Sequence, residues 1–370
     1  SPLARRAIHQ CRRSCGQDSR IGMTVSPKRL MYFGYYLRGM DWPLLAKFMA
    51  YVQTEQGLSK SHQWRAIFRD SLRFNISPLE YYQFRFFELT DDEKETWAGT
   101  GTMYEFQRAA NPPATRELLR DKRLFYRAYQ GFFRHELYSL AELVANVETL
   151  EKLLAENSTL VFKEATGNCG AGVSIQDVAG KTPAAILAYM HSHDFDVVET
   201  YVRQHPDMNS LSPSGVNTVR VFTQINSAGD YEVLGCRLRI SVDSPVDNLA
   251  AGNMAAPVEE ATGVVNGPGV FADITREPLD IHPVTGHKIV GFRIPYWSDT
   301  LEMVRDASLL HPENRSIGWD VVITEEGPGL IEGNHDWCKL VWQLPVNQGL
   351  LNLLDPGICI GISNDYSTSQ

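Results

Sequence analysis

The sequence predicts an α+β protein with an N-terminal helical region, and three patterns support this class. Residues up to about 115 carry apolar and aromatic side chains at helical spacing, for example in the segment 43–53. From about residue 159 the period changes to that of strands, as in 159–163 and 217–223. Near the C-terminal end, two β-branched runs flank Gly327-Pro328-Gly329, a sequence typical of a hairpin turn.

The composition is that of an ordinary globular protein. Of the 370 residues, 43% are hydrophobic and 21% are charged, and the formal net charge is −9. An acidic chain argues against a general affinity for nucleic acid. No run approaches the roughly 20 apolar residues of a membrane span, and the first residues show no signal-peptide core. We therefore expect a cytoplasmic protein whose six cysteines, which include no CxxC pair, are free thiols.

The first thirty residues reverse this charge balance. Asp18 is their one acidic residue, and their basic residues are Arg5, Arg6, Arg12, Arg13, Arg20, Lys28 and Arg29. The pattern predicts either a solvated helix face or an electrostatic attachment to an anionic membrane surface or polymer.

Helices and one breaker organise the N-terminal region and the segment after it. We interpret 43–53 and the apolar stretch 81–87 as helices that face a core. Asn111-Pro112-Pro113 marks a boundary, so that residues 1–113 form the helical region. Beyond it, 115–123 predicts a charged helix, and the spacing of Leu140 to Leu154 predicts one amphipathic helix that ends near Asn157.

A glycine-rich loop comes after the strand that ends in Lys163. Backbone amides at Gly167, Gly170 and Gly172 can approach phosphate oxygens while the ammonium faces their charge. The lysine precedes the glycines, unlike the order in a Walker loop, and a tight turn without a ligand has the same composition. Cys169, inside the loop, has no assigned role.

A predicted helix, 183–193, leads to a strand over 195–202 that becomes a connector at 203–206. Exposed backbone groups at such a strand end can pair with the edge of an adenine. An interdomain strand without a ligand is the alternative.

Three arginines lie on otherwise apolar predicted strands, 217–223 and 231–242. Arg237 and Arg239 are two positions apart and therefore share a face. A guanidinium on a buried sheet needs a carboxylate or phosphate partner, and for Arg220 we favour a ligand over an internal ion pair. The Gly-, Ala- and Asn-rich segment 248–272 predicts a loop, and 297–311 predicts a helix.

The C-terminal hairpin carries the chemistry around which the chain is organised. Glu332 and Asn334 point to one face of a strand, and the partner strand can bring Asp320 beside them. Carboxylate and amide oxygens suit magnesium, which substrate phosphates usually complete. A polar outward face is the alternative.

Four stretches together resemble a known family. They are Asn-Thr-Val-Arg-Val at 217–221, Ala-Gly-Asn at 251–253, His-Pro-Val-Thr-Gly-His-Lys at 282–288 and Ile-Glu-Gly-Asn at 331–334. They look like the sugar-transfer associated ATP-grasp family of bacterial polysaccharide clusters, over roughly residues 110–355. The resemblance implies an ATP-grasp fold, in which two α+β subdomains hold ATP between them. It places the N-terminal and lid subdomains at 114–205 and the catalytic subdomain at 206–370.

The resemblance also implies roles for individual residues. Lys122 and Lys163 would neutralise ATP phosphates beneath a lid that includes Gly167, Gly170 and Gly172. Glu199, Tyr201 and Val202 would form the adenine hinge, with Gln204, His205 or Asp207 near the ribose. Magnesium would be bound by Asp320, Glu332 and Asn334. Catalysis would rest on Arg220, Lys163 and Arg239, and the substrate would be held by Arg237, Arg239 and Asn253.

The implied activity is ATP-dependent joining of a carboxylate to an amine through an acyl phosphate. The family context suggests an amide between an amino acid and a uronic acid of a capsule or O-antigen polysaccharide or its precursor. A kinase acting on a sugar hydroxyl, with the same ATP site, is one alternative. A nucleotide-binding scaffold of a glycan assembly complex is another.

Overall fold

The computed structural model describes residues 27–167 and 172–358. The arginines of the first twenty residues, Cys169 and Gly170 lie outside these ranges, and so do the predictions made for them. The chain divides into two compact units. Among the described residues, the first comprises 27–110, 226–230 and 347–358, and the second comprises 111–167, 172–225 and 231–346.

The first unit is helical, as predicted. Its helices are α1 (Pro27–Arg38), α2 (Trp42–Gln56), α3 (Lys60–Phe74), α4 (Pro78–Gln83), α5 (Asp91–Lys94) and α6 (Thr100–Ala110), with a 3-10 turn at Leu351–Leu353. Ser77 and Glu80 form a capping box that begins α4. The prediction of a helix over 81–87 is wrong beyond Gln83, because Phe84 ends α4 and Arg85 adopts a left-handed backbone conformation (φ 53°). Phe84 and Phe86 are nevertheless buried.

In the second unit, two predicted helices are each divided by a capping residue. The charged segment forms α7 (Pro113–Arg120) and α8 (Lys122–Tyr129), because Asp121 leaves the helical conformation and accepts from the backbone N–H of Arg123. The amphipathic segment forms α9 (Leu140–Ala145) and α10 (Val147–Glu156), since Asn146 caps the second of them. The predictions of single helices at these places are therefore wrong.

The other helices of this unit are α11 (Pro183–Ser192), α12 (Pro206–Leu211), α13 (Trp297–Leu310) and α14 (Lys339–Gln343). Short 3-10 turns occur at Gln130–Phe132, Leu249–Ala251 and Leu344–Val346. None of the helices in the described part of the chain has the length and hydropathy of a membrane span.

The smaller sheet is antiparallel and has the order β1-β4-β2-β3. Its strands are β1 (Leu137–Ser139), β2 (Thr159–Lys163), β3 (Val173–Asp177) and β4 (Val197–Thr200). Leu160, Phe162 and Val198 face a core formed with α9, α10 and α11. Because side chains alternate along a strand, Lys163 and Glu199 lie on the opposite face.

The larger sheet is antiparallel and has the order β7-β6-β5-β8-β9. Its strands are β5 (Val219–Ile225), β6 (Tyr231–Ile240), β7 (Met254–Val258), β8 (Ser316–Thr324) and β9 (Gly327–Asn334). Val219, Val221 and Trp319 bury one face in a core with α13. The other face carries Arg220 and Asp320.

Two strand predictions need correction. The segment 248–272, predicted to be a loop, contains β7, which pairs with β6 from Cys236 to Ile240. All five residues of β7 are buried, so tertiary packing overrides the low strand propensity of its alanines and proline.

The turn of the acidic hairpin is also displaced from its predicted place. Glu325 and Glu326 form the turn, whereas Gly327, Pro328 and Gly329 are paired residues of β9. Proline is tolerated there because β9 is the edge strand. Glycine at 329 allows a close approach, since a Cβ there would lie 2.6 Å from Arg134 Cγ.

Candidate active site

Four charged residues form one row across the larger sheet. Arg237, Arg220, Asp320 and Glu332 are successive cross-strand partners on β6, β5, β8 and β9. A register shift after Asp320 pairs Val321 with Leu330, so that Ile331 is the extra residue of a bulge and Glu332 stays opposite Asp320. The predicted convergence of Asp320 and Glu332 is therefore present in the strand register.

Asp320 is the centre of a buried ion-pair network. Arg220 binds it through two bonds, Nε to Oδ1 at 2.5 Å and Nη2 to Oδ2 at 2.7 Å. Arg239 Nη1 donates to the same Oδ2 at 2.8 Å, and its Nη2 pairs with Asp247 at 2.8 Å. Burial opposes ionisation, but the two guanidinium groups hold the pKa of Asp320 well below its usual range. Arg220 thus pairs with a carboxylate of the protein. This internal ion pair was the alternative to the bound ligand that we expected for Arg220.

Arg239 has one N–H group that remains available as a donor. Its Nε is buried and has no hydrogen-bond partner among the described residues. Burial works against its charge, yet Asp247 and Asp320 together raise the pKa of the group. A permanently charged guanidinium with an unsatisfied buried N–H suits an anionic ligand.

Glu332 and Asn334 complete the acidic end of the row. Asn334 Nδ2 donates to Glu332 Oε1 at 3.1 Å, and Gly318 is the register partner of Asn334. Burial and the neighbouring Asp320 raise the pKa of Glu332. The described residues contain no group of three or more His, Cys, Asp or Glu side chains that could hold a metal ion. Two carboxylates and an amide oxygen nevertheless fit magnesium, because a divalent cation would offset the repulsion that raises this pKa.

On the smaller sheet, Lys163 and Glu199 form a second buried pair. Lys163 Nζ lies 2.5 Å from Glu199 Oε2, and both side chains are largely shielded from solvent. Burial opposes the charge on Glu199, but Lys163 and His135 keep its pKa below the usual value. His135 Nε2 is 3.6 Å from the same oxygen, and burial lowers the pKa of the ring.

Lys122 lies between the two sheets. Its backbone N–H donates to Ala165 O at 2.9 Å, and its Nζ donates to Gly167 O at 2.7 Å. Burial and the charge of Lys163 lower the pKa of Lys122, although Glu332 and Glu199 attract the ammonium. A cleft of about 100 Å³ is lined here by Lys122, Gly167, Glu332 and Asn334 among other residues. Gly172 has φ 74°, and a Cβ there would lie 2.9 Å from Glu164.

The predicted hinge comes directly after β4. Residues 201–205 have no regular secondary structure, and Tyr201 is exposed. His205 donates its backbone N–H to Ile323 O at 2.7 Å, while its Nδ1 accepts from the backbone N–H of Asp207. The connector is thereby fixed to the end of β8.

Two predicted substrate residues are occupied within the protein. Arg237 donates Nε and Nη2 to Trp342 O and Nη1 to Cys236 O, and burial lowers its pKa to about 10. Asn253 accepts from Val242 N–H and donates to the carbonyls of Val246 and Asn248. Both side chains hold neighbouring backbone segments.

Other motif residues act in the same way. Asn217 accepts from Ser241 and donates to Gln204 and Ser212, so it ties the connector to β6. His282 Nδ1 accepts from two backbone N–H groups, which leaves Nε2 to donate to Ser241 O at 2.9 Å.

Asp247 and His135 belong to the site but were missed from the sequence. A buried Arg239 needs a carboxylate partner, and this requirement pointed to Asp247, although Asp243 was an equally good candidate from the sequence. His135 carried no signal, because its proximity to Glu199 depends on the pairing of β1 with β4.

Comparison with known proteins decides the family. The model of the "sugar-transfer associated ATP-grasp" family matches residues 102–356, more than half of the chain. The chain belongs to this ATP-grasp family. Membership confirms the predicted family, fold class and ATP-grasp enzyme class, and it implies ATP binding. A search of curated proteins gave no match.

Several solved structures are similar to this ATP-grasp chain. D-alanyl-alanine synthetase A from Vibrio cholerae is 9% identical with a TM-score of 0.40, over 67% of this chain and 65% of that one. The ATP-grasp ligase PsnB with its minimal precursor is 11% identical with a TM-score of 0.39, over 69% and 63%. An L-amino acid ligase from Bacillus licheniformis is 13% identical with a TM-score of 0.39, over 66% and 48%. This chain therefore spans less than two thirds of the length of each.

Proposed function

We propose that this ATP-grasp protein is a carboxylate–amine ligase that works through an acyl phosphate. Its substrates would be an amino acid and a uronic acid of a capsule or O-antigen polysaccharide or its precursor. The observation that carries the proposal is the cleft in which Lys122 faces Glu332 and Asn334. A phosphate-binding ammonium opposite a magnesium-type ligand set is the arrangement that positions a transferable phosphoryl group.

The nucleotide would lie along the face of the smaller sheet that carries Lys163 and Glu199. Lys163 and Lys122 would contact its phosphates, and the lid containing Gly167, Gly170 and Gly172 would cover them. Tyr201 and Val202, just beyond Glu199, would offer backbone groups to the adenine, with His205 or Asp207 near the ribose. Displacement of Gly167 O from Lys122 Nζ would accompany binding, because the ammonium exchanges a carbonyl for a phosphate.

Magnesium would be held by Asp320, Glu332 and Asn334. When bound there, magnesium would supply positive charge that stabilises the phosphates during phosphoryl transfer. Arg220 and Arg239 keep Asp320 ionised and fixed for this role through the bonds described above.

The acid would bind beside Arg239, whose Nε is unsatisfied. A carboxylate oxygen of the substrate attacks the γ-phosphorus, the bond to ADP breaks, and an acyl phosphate forms. The amine then attacks the acyl carbon, loses a proton and expels phosphate, which leaves an amide. Arg237 and Asn253 support this pocket through the backbone segments that they hold.

Product analysis tests the proposal. Magnesium-ATP turnover is measured as separate release of ADP, AMP and phosphate, across amino acids with and without uronic acids, with Glu332→Ala as the blank. Release of ADP and phosphate only when acid and amine are both present, with an amide product, supports the ligase. Phosphate retained on a sugar would instead identify a kinase, and AMP would contradict the proposed chemistry.

A further inference from the structure

The helical unit carries a surface of exposed aromatic and aliphatic side chains. We define this aromatic surface by Leu30, Met31, Tyr35, Trp42, Trp64, Phe68 and Tyr104. Tyr35 is 71% exposed, Met31 64% and Trp42 51%, values that are unusual for such large apolar side chains. Isolated exposed residues would need no explanation, but a continuous patch would.

Ring contacts connect the four helices that carry this surface, α1, α2, α3 and α6. Trp42 and Trp64 have ring centroids 6.5 Å apart, and Phe68 lies one turn after Trp64 on α3. Phe68 contacts Phe33 of α1 at 5.3 Å. Tyr32 of α1 and Tyr104 of α6 have ring centroids 6.5 Å apart.

Helix α1 carries apolar side chains on its outer side as well as on its inner side. Leu30, Met31 and Tyr35 are exposed, while Tyr36 is its one buried residue. Phe33 and Leu37, on the same side as Tyr36, are partly buried. A helix that is apolar on all sides is normally buried, so the exposed outer side of α1 indicates a partner outside the unit.

The charge around the patch indicates the nature of that partner. Residues 27–74, which supply the whole surface except Tyr104, contain eight basic and three acidic side chains. Residues 75–110 contain three basic and seven acidic side chains, and one of these acids, Glu105, binds Lys28 at 2.7 Å. Asp70, one of the three acids, is buried in ion pairs with Lys94 and Arg69. The basic side chains Arg38, Lys60 and Arg65 are exposed. A second copy would bring the same positive charge face to face, which disfavours self-association.

We propose that the aromatic surface docks the protein onto an anionic lipid bilayer. Tryptophan and tyrosine rings lie at the boundary between head groups and acyl chains, and lysine and arginine reach the anionic head groups around them. Leu30 and Met31 favour a bilayer over a glycan, because aliphatic side chains insert among acyl chains but offer no stacking face to a sugar. This inference does not depend on the proposed ligase reaction.

Co-sedimentation of the full chain with vesicles tests the docking surface. The vesicles contain phosphatidylcholine alone or with about 30% phosphatidylglycerol. Wild type is expected to bind only the anionic vesicles, and added salt is expected to weaken binding because it screens the head groups. Trp42→Ser/Trp64→Ser is expected to bind at least about tenfold more weakly.

Two further variants separate docking from loss of folding. Arg38→Gln/Arg65→Gln keeps the rings but removes charge, and it should also weaken binding. Leu309→Ser/Leu310→Ser removes two similarly exposed apolar side chains at the end of α13 and should bind as wild type does. Thermal unfolding midpoints are compared for all variants. The proposal is overturned if wild type does not bind anionic vesicles or if both patch variants bind normally. It is equally overturned if wild type binds polygalacturonate and no vesicle, or if the patch mediates only self-association.

Discussion

Lys163 and Glu199, on neighbouring strands of the smaller sheet, form a buried ion pair with Nζ 2.5 Å from Oε2. Lys122 and His135 both act electrostatically on the same carboxylate. One acidic group thus offsets the charge of the lysines that we propose to bind phosphates before any nucleotide arrives.

Breaking this pair from one side is expected to be costly. Glu199→Gln or Lys163→Met leaves an uncompensated buried charge or an unpaired carboxylate and should lower the free energy of unfolding by about 3 kcal/mol. The double variant should lose less free energy of unfolding than the sum of the two single losses. Urea denaturation of all four proteins measures the coupling, and additive losses would contradict a direct interaction.

Glu332→Gln should affect stability and turnover in opposite directions. Removal of a charge that Asp320 repels is expected to raise the unfolding midpoint without nucleotide. The loss of a proposed magnesium ligand should lower magnesium-ATP turnover at least about 100-fold. Glu326→Gln, in the turn of the same hairpin, serves as the control and should change neither. A Glu332→Gln protein that is less stable than wild type would contradict the repulsion between Glu332 and Asp320.

ATP affinity should depend on the protonation of Lys122. Burial lowers its pKa, so the folded protein gives up this proton at lower pH than the unfolded chain does. ATP favours the ammonium form, and binding should therefore be constant below the lowered pKa and weaken as pH rises through it. Lys122→Arg should keep its charge and remove this decline. Calorimetric titrations between pH 7 and about 10 measure the effect, and identical profiles would assign the titration to another group.

Arg237 and Arg239 offer a matched comparison on one strand. Arg237→Lys loses the paired bonds to Trp342 O and is expected to destabilise the fold by about 1–3 kcal/mol without changing KM for the acid. Arg239→Lys should raise that KM, because we propose that its unpaired Nε donates to the substrate. Steady-state kinetics beside denaturation curves separate the two roles. A raised KM in Arg237→Lys would restore this residue to the substrate pocket.

Gly329 tests the corrected position of the hairpin turn. Gly329→Ala would place Cβ 2.6 Å from Arg134 Cγ and 3.1 Å from its backbone nitrogen, and it should cost about 1–3 kcal/mol. Gly131→Ala has open space around its Cβ and should be nearly neutral. Equal stability of the two variants would favour a turn at Gly327-Pro328-Gly329 instead.

Local periodicity predicted the acidic hairpin because strand alternation and a short loop determine which residues face each other. That rule placed Glu332 and Asn334 on one face, but the pairing of Glu332 with Asp320 also depends on the bulge at Ile331. It failed for the turn, since Pro328 is accommodated by the edge position of β9 and Gly329 by Arg134, features that exist only after folding.

Residues that meet through distant pairing were beyond local patterns. Asp247 reaches Arg239 from a loop, and His135 reaches Glu199 across β1 and β4. The divisions at Asp121 and Asn146 were missed for a different reason, because the helical apolar spacing continues across both caps.

Asn217, Asn253 and His282 lie within the stretches that carry the family resemblance, and each uses its polar atoms to brace backbone. Similarity in these stretches therefore indicates a shared arrangement of loops. For the ligase reaction that we propose, the choice of acid therefore has to be argued from the surroundings of Arg239 and not from these stretches.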